Sequence, residues 1–359
     1  MSLIRLQITH FRNIRSADLS LCGEVNLIVG PNASGKTSLL EAIDCLSRGR
    51  SFRTRLPTQL TTHGESSLTL FGQVDSGSGR ISALGMELGR ARRMLRRDGR
   101  TVDTMESYAA ALPVQTMHPL SHVIINGPPG YRRAFMDWGV FHVKQGDIRS
   151  WREFTRVLRQ RNLLLSRGGR DREIEAWDEA LTNTAERLDQ ARARYVSQIE
   201  PLCAQLAEEF LDGAQVGLRY RRGWSEGTDL ASTLRDTLDR DRQLGHTGNG
   251  PHRADLQITL SGRSARDFAS RGQQKLLVVV LLLAQLGAFT ESGSIRPTLL
   301  VDDLAAELDP AHRERVIERL AELPAQVILT ALEQNALDLS RWCEIRVFHV
   351  KHGGFEELV

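Results

Sequence analysis

The chain has 359 residues, 41% hydrophobic and 25% charged, which is enough apolar material for two or three lobes of a globular protein and argues against disorder. Its 47 basic and 44 acidic residues leave a net charge of only +3. Lys36, Lys144, Lys275 and Lys351 are the only lysines, and a chain-wide arginine bias of this kind reflects genomic base composition as readily as phosphate binding.

Met1 to Asn13 alternates polar and apolar residues without a continuous apolar run, so neither a signal peptide nor a transit sequence is expected. Leu3–Phe11, Ala17–Leu21 and Glu24–Val29 read as short strands, the third a buried run that stops at Gly30. Thr37–Ser47 follows as a helix, with Leu39, Leu40, Ile43 and Leu46 at helical spacing. From Ser66 to Val102 the pattern is that of alternating strands, and Asp98-Gly99 is a hairpin turn signal. Arg132 to Leu211 reads as helical, with Trp151, Phe154, Val157 and Leu158 on one face, a break at Gly168-Gly169, and Ile174, Trp177, Leu181, Ala185, Leu188 and Ala191 on the next helix. No heptad persists, so this is expected to be a compact insertion rather than a coiled coil, with Trp138, Trp151 and Trp177 as core residues. Gly217–Tyr220 and Asp255–Leu260 return to strand; helix Gly272–Leu286, strand Thr298–Asp302, helix Pro310–Glu322 and strand Gln326–Thr330 complete an α/β alternation suited to a mostly parallel sheet. The longest apolar run, Leu276–Ala284, suits a buried helix, and no segment is expected to span a bilayer. Cys22, Cys45, Cys203 and Cys343 lack metal-ligand spacing and read as buried free thiols. A cytoplasmic location is the expectation.

Gly30-Pro31-Asn32-Ala33-Ser34-Gly35-Lys36-Thr37, followed by Ser38, fits the phosphate-binding loop pattern and sits where that loop must sit, between a buried strand and a helix. Its glycines let consecutive N–H groups and the helix N-terminus face a phosphate, Lys36 reaches the β- and γ-phosphates of ATP, and the Thr37 hydroxyl ligates Mg2+. Leu299-Leu300-Val301-Asp302-Asp303 is an apolar strand ending in two carboxylates. Beside a phosphate loop, Asp302 is expected to hold Mg2+ through water and Asp303 to orient or deprotonate the attacking water; a solvated Asp-Asp turn is the plainer alternative. Ser270-Arg271-Gly272-Gln273-Gln274-Lys275 opens an apolar helix directly upstream of that strand. An N-cap alone explains the serine, yet its position is that of the signature segment of cassette ATPases.

With these motifs, the chain resembles the SMC-like branch of the ATP-binding-cassette ATPases and, more narrowly, the RecF family of DNA replication and repair proteins. The residues that carry this are Phe11-Arg12-Asn13, Gly30 to Ser38, Gly127-Pro128-Pro129, Tyr131 to Asp137, Gly250 to Leu256, Ser270 to Lys275 and Asp302 to Asp309. The resemblance implies an α/β, ABC/SMC-like ATPase head with mixed and parallel sheets over 1–118 and 213–359, and a helical lobe inserted over 119–212. It further implies an ATP-dependent homodimer in which Ser270, Arg271, Gly272 and Gln273 of one copy close on the nucleotide held by Lys36 of the other, with Asp309 across the seam and Gln115 as the Q-loop residue. DNA binding, single- and double-stranded and without sequence preference, recombinase loading with the RecR and RecO proteins, replication recovery and SOS induction follow from the same resemblance. Arg271 stands where cassette ATPases carry a glycine, Asp303 where they carry a glutamate and Thr330 where transporter subunits carry a histidine. The shorter Asp303 carboxylate and the missing histidine predict weak ATP hydrolysis, and the resemblance implies that DNA stimulates it.

For DNA, Arg90, Arg92, Arg93, Arg96, Arg97 and Arg100 crowd one predicted hairpin, and Arg149, Arg152, Arg156 and Arg159 can share a helix face. Arginine richness everywhere in the chain produces such crowding without DNA. His252 reads as structural or nucleotide-adjacent. Two rival readings are an ATPase subunit of an ABC transporter, against which the helical insertion counts, and a scaffold that binds ATP without turnover.

Overall fold

The structure is a computed structural model that describes residues 1–359 apart from 55, 78, 90–92, 103–104, 144–147, 292–295 and 359, and apart from the side chains of 106–107 and 148–149. Strands β1 (Ser2–Phe11), β2 (Ile14–Ser20) and β3 (Val25–Val29) lead into helix α1 (Lys36–Arg48), followed by β4 (Ser67–Asp75), β5 (Ile81–Gly89), β6 (Arg93–Arg97), β7 (Arg100–Thr101), α2 (Met105–Ala109) and β8 (Val114–Met117). Next come α3 (Val123–Asn126), α4 (Pro129–Val143), α5 (Ile148–Ser166), α6 (Asp171–Phe210), β9 (Val216–Arg221), α7 (Leu230–Asp236), α8 (Leu238–Leu244), β10 (Asp255–Leu260), β11 (Arg263–Ser264), α9 (Ala265–Phe268) and α10 (Arg271–Glu291). The last elements are β12 (Thr298–Val301), α11 (Leu304–Glu307), α12 (Pro310–Glu322), β13 (Gln326–Ala331), β14 (Ile345–Lys351) and β15 (Gly354–Leu358). They divide into two units, Met1–Ser121 with Gly293–Val359, and His122–Ser292.

In the first unit, one sheet is antiparallel in the order β2-β1-β4-β5-β6-β7 and the other runs β15-β14-β3-β13-β12-β8. All neighbours in the second sheet are parallel except the β14–β15 hairpin. Helix α1 joins the two, because Leu39, Leu40, Ile43 and Leu46 share one core with Leu3, Leu6 and Ile8 of β1 and with Ile28, Leu300 and Ile328 of the parallel sheet. A polar rivet fixes the register at the opposite end from the glycine loop. Fully buried Gln326 accepts from Leu3 N at 2.9 Å and Thr298 Oγ1 at 3.1 Å, and donates to Leu3 O at 2.8 Å and Cys22 O at 2.7 Å. With both ends of the amide satisfied, its burial carries no desolvation penalty of the unpaired kind. The hairpin expected at Asp98-Gly99 forms between β6 and β7 with φ of 51° and 77° at the turn, the left-handed pair of a type I′ turn.

In the second unit, the 40-residue α6 runs from Asp171 to Phe210 and carries Pro201 within it. Helices α5 and α10 and strand β9 pack on it, so 213–292 belong with the helical lobe. This differs from the boundary expected at 213: the short sheet β11-β10-β9 packs β9 on α6 and β10 on α4. Helix α10, at 21 residues, is long and apolar enough to cross a membrane, contrary to the expectation that no segment approaches that length. Twelve of its residues, including Leu277–Leu283, are buried within the unit, so here it is a core helix. Trp151, expected in the core, is 42% exposed because the buried stripe of α5 begins one turn later at Phe154 and Val157. Cys343 is exposed, unlike the other three cysteines.

A buried charge that periodicity could not reveal organises this unit. Arg161, with no exposure, pairs with Asp178 at 2.7 Å and Asp241 at 2.8 Å and donates to Thr247 Oγ1 at 2.8 Å. It ties α5, α6 and α8 to the 246–249 turn, and removal of any one partner leaves the other charges uncompensated. His252 sits beside this network, with Nε2 2.9 Å from Thr247 O and its ring facing Phe154. A ring nitrogen facing a carbonyl must carry the proton, which leaves Nδ1 as a buried nitrogen without a partner.

Burial, opposed by the Thr247 carbonyl and reinforced by Arg253 and Arg133, pushes His252 down from 6.5 to about 4. The unfolded chain therefore takes up this proton before the folded one does. Stability supplied by the neutral ring is full above the unfolded value and is lost as pH falls from about 6.5 towards 4, by up to about 3 kcal/mol. Thermal midpoints measured from pH 7 to pH 4 should fall more steeply for the wild type than for His252→Asn; parallel profiles would show that the ring does not titrate with folding.

Candidate nucleotide and metal site

Strand β3 is buried along its whole length because parallel neighbours β13 and β14 cover it on both sides, and it delivers the chain to Gly30 at the carboxyl edge of the sheet. Gly30 has φ 154°, and a Cβ there would stand 2.4 Å from Val350 O. Only glycine fits so close a backbone. At the start of α1, Gly35 (φ 126°) provides no side-chain cap, which leaves the first amides of the helix free to meet an anion.

Lys36 is buried, and its Nζ donates to Gly30 O at 2.6 Å and Pro31 O at 3.1 Å. Burial holds its ammonium below the usual lysine range, against the opposing pull of Asp303 and Asp302. Ser34 Oγ is buried without a hydrogen-bond partner. A cluster of unspent amides, one orphan hydroxyl and a partly desolvated ammonium is the donor set that a phosphate chain would satisfy.

The second half of the site is built from β12 and β13. Asp302 N donates to Met117 O at 2.8 Å, which pins the turn after β12 to the end of β8. Thr37 Oγ1 lies 2.8 and 3.1 Å from the two oxygens of Asp302, and Thr330 Oγ1 donates to Asp302 Oδ1 at 2.8 Å. The same Thr330 oxygen accepts from Asp303 N at 2.8 Å. Asp303 is left-handed (φ 52°, ψ 48°), a conformation that costs a non-glycine residue about 1–3 kcal/mol and persists where neighbours over-determine it. Burial pushes the Asp302 carboxyl up, while the Thr330 and Thr37 hydroxyls hold it down. Its hydrogen-bond donors are two neutral hydroxyls, so a divalent cation brought here finds an unneutralised carboxylate and a hydroxyl oxygen side by side. These hard oxygens fit Mg2+, which needs only one or two protein ligands beside phosphate and water; among the described residues no cluster of three His, Cys, Asp or Glu offers a richer metal cage.

The remaining expected residues are spread more widely. Gln115 lies inside β8, paired with Leu299, two residues short of the Met117 that meets Asp302; it is buried in the sheet and is not at the edge that bears Lys36. Ser270 caps α10 in a reciprocal box: its Oγ accepts from Gln273 N at 3.2 Å, and Gln273 Oε1 accepts from Ser270 N at 2.9 Å. A hydroxyl that accepts in this way keeps its hydrogen free to donate. Arg271 and Gly272 are exposed beside it. Asp309 caps α12 through Ala311 N (3.1 Å) and His312 N (3.2 Å) and meets His312 Nδ1 at 2.6 Å, contacts that hold its carboxyl below the usual range.

The arginine hairpin is divided between two faces. Arg93 and Arg97 flank buried Leu95, and Arg93 donates to Gly49 O at 2.6 Å, whereas Arg96 is exposed on the other face. Arg92 and Arg90 lie outside the described residues, as does the Arg149 side chain. On α5, Arg152, Arg156 and Arg159 are exposed along one face. Sequence reasoning missed Asn13 and Gly353 as neighbours of the loop. Asn13 Oδ1 accepts from Ser38 Oγ at 2.8 Å, and Gly353 N donates to Ser34 O at 2.8 Å. The only signal was the Phe11-Arg12-Asn13 block itself.

Comparison with known proteins supplies an independent finding. The RecF/RecN/SMC N terminal domain model matches residues 2–354. The DNA replication and repair protein RecF of Cellvibrio japonicus is 40% identical over 98% of both chains, and that of Thioalkalivibrio sulfidiphilus is likewise 40% identical over 98% of both. A solved structure of the recombination mediator protein RecF with ATP, from the RecFOR pathway, superimposes with a TM-score of 0.90 at 24% identity, covering 100% of this chain and 98% of that one. The Smc head domain of Pyrococcus furiosus gives a TM-score of 0.59 at 15% identity, covering 99% and 96%. The expected SMC-like ATPase fold is thereby shown.

Thr330 is the residue through which both carboxylate positions are set. Thr330→Val should leave Asp303 N unpaired and lower stability by about 1–3 kcal/mol, with Thr330→Ser close to wild type. Thermal melts of the three proteins check this, and a valine variant as stable as the wild type would remove Thr330 from the account.

Proposed function

The chain belongs to the RecF family of DNA replication and repair proteins, and we propose that it binds ATP with Mg2+ at the Gly30–Ser38 loop, hydrolyses it slowly, and uses the bound nucleotide to hold two copies together on DNA. The observation that carries this reading is the meeting of Thr37 with Asp302, beside the inward-folded Lys36. In the proposal the loop amides and Lys36 hold the β- and γ-phosphates, while Thr37 and, through water, Asp302 hold Mg2+, which neutralises phosphate charge when bound. Asp303 orients the attacking water. It is a shorter base than glutamate, and Thr330, hydrogen-bonded to both aspartates, offers no titratable group, so turnover is slow.

Ser270 retains a free hydroxyl hydrogen at the exposed start of α10, and we assign it, with Arg271, Gly272 and Gln273, to the nucleotide of a second copy. Asp309 lies at the same seam in this scheme. Nucleotide then acts as a clamp, since a ligand that binds only the dimer stabilises it by mass action. DNA is met through backbone phosphates without base reading, with the α5 face around Arg152 and Arg156 and the hairpin face around Arg96 as candidate surfaces. The solved RecF structures belong to a RecFOR pathway, and we extend that setting to this chain: a cytoplasmic, DNA-stimulated ATPase that assists recombinase loading with RecR and RecO, in replication recovery and SOS induction.

Sedimentation and DNA titrations with and without ATP check the proposal. The wild type should dimerise and bind DNA with ATP; Lys36→Arg should lose hydrolysis; Ser270→Arg should bind ATP as a monomer. DNA binding absent in every nucleotide state would overturn the function, and ATP dimers of Ser270→Arg would overturn the seam.

A further inference from the structure

We propose that the β14–β15 turn and the β1–β2 turn form a two-point clasp that holds the glycine loop in its phosphate-binding shape, with Gly353 and Asn13 as positioning residues. The inference rests on the reading of that loop as the nucleotide site. It concerns how the loop is held, and neither residue is assigned a contact with nucleotide.

The loop needs external support. Ala33, a residue with a Cβ, is left-handed at φ 63°, and Gly30 and Gly35 adopt φ of 154° and 126°. Such a path is unfavourable for a free chain, and the loop's own backbone hydrogen bonds are few: Ser34 N reaches Pro31 O at 3.3 Å, and Leu39 N reaches Gly35 O at 2.9 Å, beside the Lys36 Nζ contacts to Gly30 O and Pro31 O. The support comes from two turns. From one side, Gly353 N donates to Ser34 O at 2.8 Å, and the Val350 carbonyl lies against Gly30. From the other, Asn13 donates from Nδ2 to Ala33 O at 3.4 Å and accepts from Ser38 Oγ at 2.8 Å, so one side chain spans the loop from its strained residue to the first turn of α1. Both contacts go to loop carbonyls or to the helix, so the clasp itself occupies none of the loop amides.

The two turns also hold each other. A Cβ on Gly353 (φ 77°) would stand 2.2 Å from Asn13 O and 3.1 Å from Asn13 C, so the glycine is required by space as well as by conformation. Arg12, left-handed at φ 54°, anchors the β1–β2 turn through a two-pronged pair with fully buried Glu41 at 3.0 and 2.7 Å and through Gln59 O at 2.7 Å. Glu41 is on α1, so the turn grips the same helix that carries Lys36. The side chain of Ser34, whose carbonyl the clasp holds, is buried with no partner, which independently marks the loop as shaped for an anion.

The clasp sets phosphate affinity more than global stability. Gly353→Ala and Asn13→Ala should each weaken binding of a fluorescent ADP analogue by tenfold or more, with inorganic pyrophosphate weakened in parallel, while the thermal midpoint without nucleotide stays near wild type for Asn13→Ala and falls for Gly353→Ala, whose Cβ meets Asn13 O. Gly354→Ala, in the same hairpin but with only an ordinary contact at 3.4 Å to Lys351 O, is the control for a loosened hairpin and should bind normally. Wild-type affinity in both Gly353→Ala and Asn13→Ala overturns the clasp. So does a loss of affinity in Gly354→Ala as large as in Gly353→Ala, because the effect is then one of hairpin stability. Lys36→Ala separates this from the parent reading: undiminished ADP binding in that variant sinks the nucleotide site itself, whatever the clasp variants do.

Discussion

A hydroxyl and a carboxylate 265 residues apart in the chain meet at 2.8 Å, and the first unit is arranged around keeping them there. Thr37 is placed by β3 and the glycine loop, Asp302 by β12, and Thr330 of β13, the strand between them, bonds the carboxylate from its other side. Parallel pairing brings all three strand ends to one edge, which is where open α/β sheets bind ligands. Were the β3–β13 register to slip by one residue, Thr330 would point to the opposite face and Asp303 N would lose its acceptor. Gln326 guards against that slip by locking the far end of the same strand to β1 and to the segment that joins β2 to β3.

Two buried charges in this chain show contrasting solutions to the cost of desolvation. Arg161 is held between two carboxylates, a neutralised arrangement that specifies how the helices of the second unit meet. Asp302 receives only neutral hydroxyls, and burial raises its pKa. A carboxylate left in that condition gains from a cation, whereas the charge of Arg161 is already met by two carboxylates. The distinction separates a structural charge from a working one more sharply than burial does.

Much of this was legible in the sequence because it is local. The 3.6-residue spacing of Leu39, Leu40, Ile43 and Leu46 reports α1 to within a residue or two at each end, and the Pro310–Glu322 helix is bracketed by Asp309 and Pro310 as cap and first residue. Asp98-Gly99 encodes its own turn. What escaped depends on distant partners. The β14–β15 hairpin lacks clean alternation, because β14 is covered on one side by β3 and β15 is largely exposed, so its role against the glycine loop appears only once Gly353 meets Asn13. The division into compact units departs from the boundary expected at 213 for the same reason: β9 and β10 read as head strands until α6 is seen to cover β9 and α4 to cover β10. Gln115 has the residue type of a catalytic loop but lies within a strand, a difference of two positions that propensity cannot resolve.

The central claim is that Asp302 is a carboxylate prepared for a metal that arrives with nucleotide. Electron paramagnetic resonance of Mn2+ as a stand-in for Mg2+ tests it most directly, with ATP present, on wild type and Asp302→Asn. The asparagine oxygen can still accept from Thr37 and Thr330, so the fold and the hydrogen bonds are retained while the charge is removed. The account predicts that the variant still binds ATP but holds Mn2+ at least tenfold more weakly. Equal Mn2+ affinity in the two proteins would contradict it.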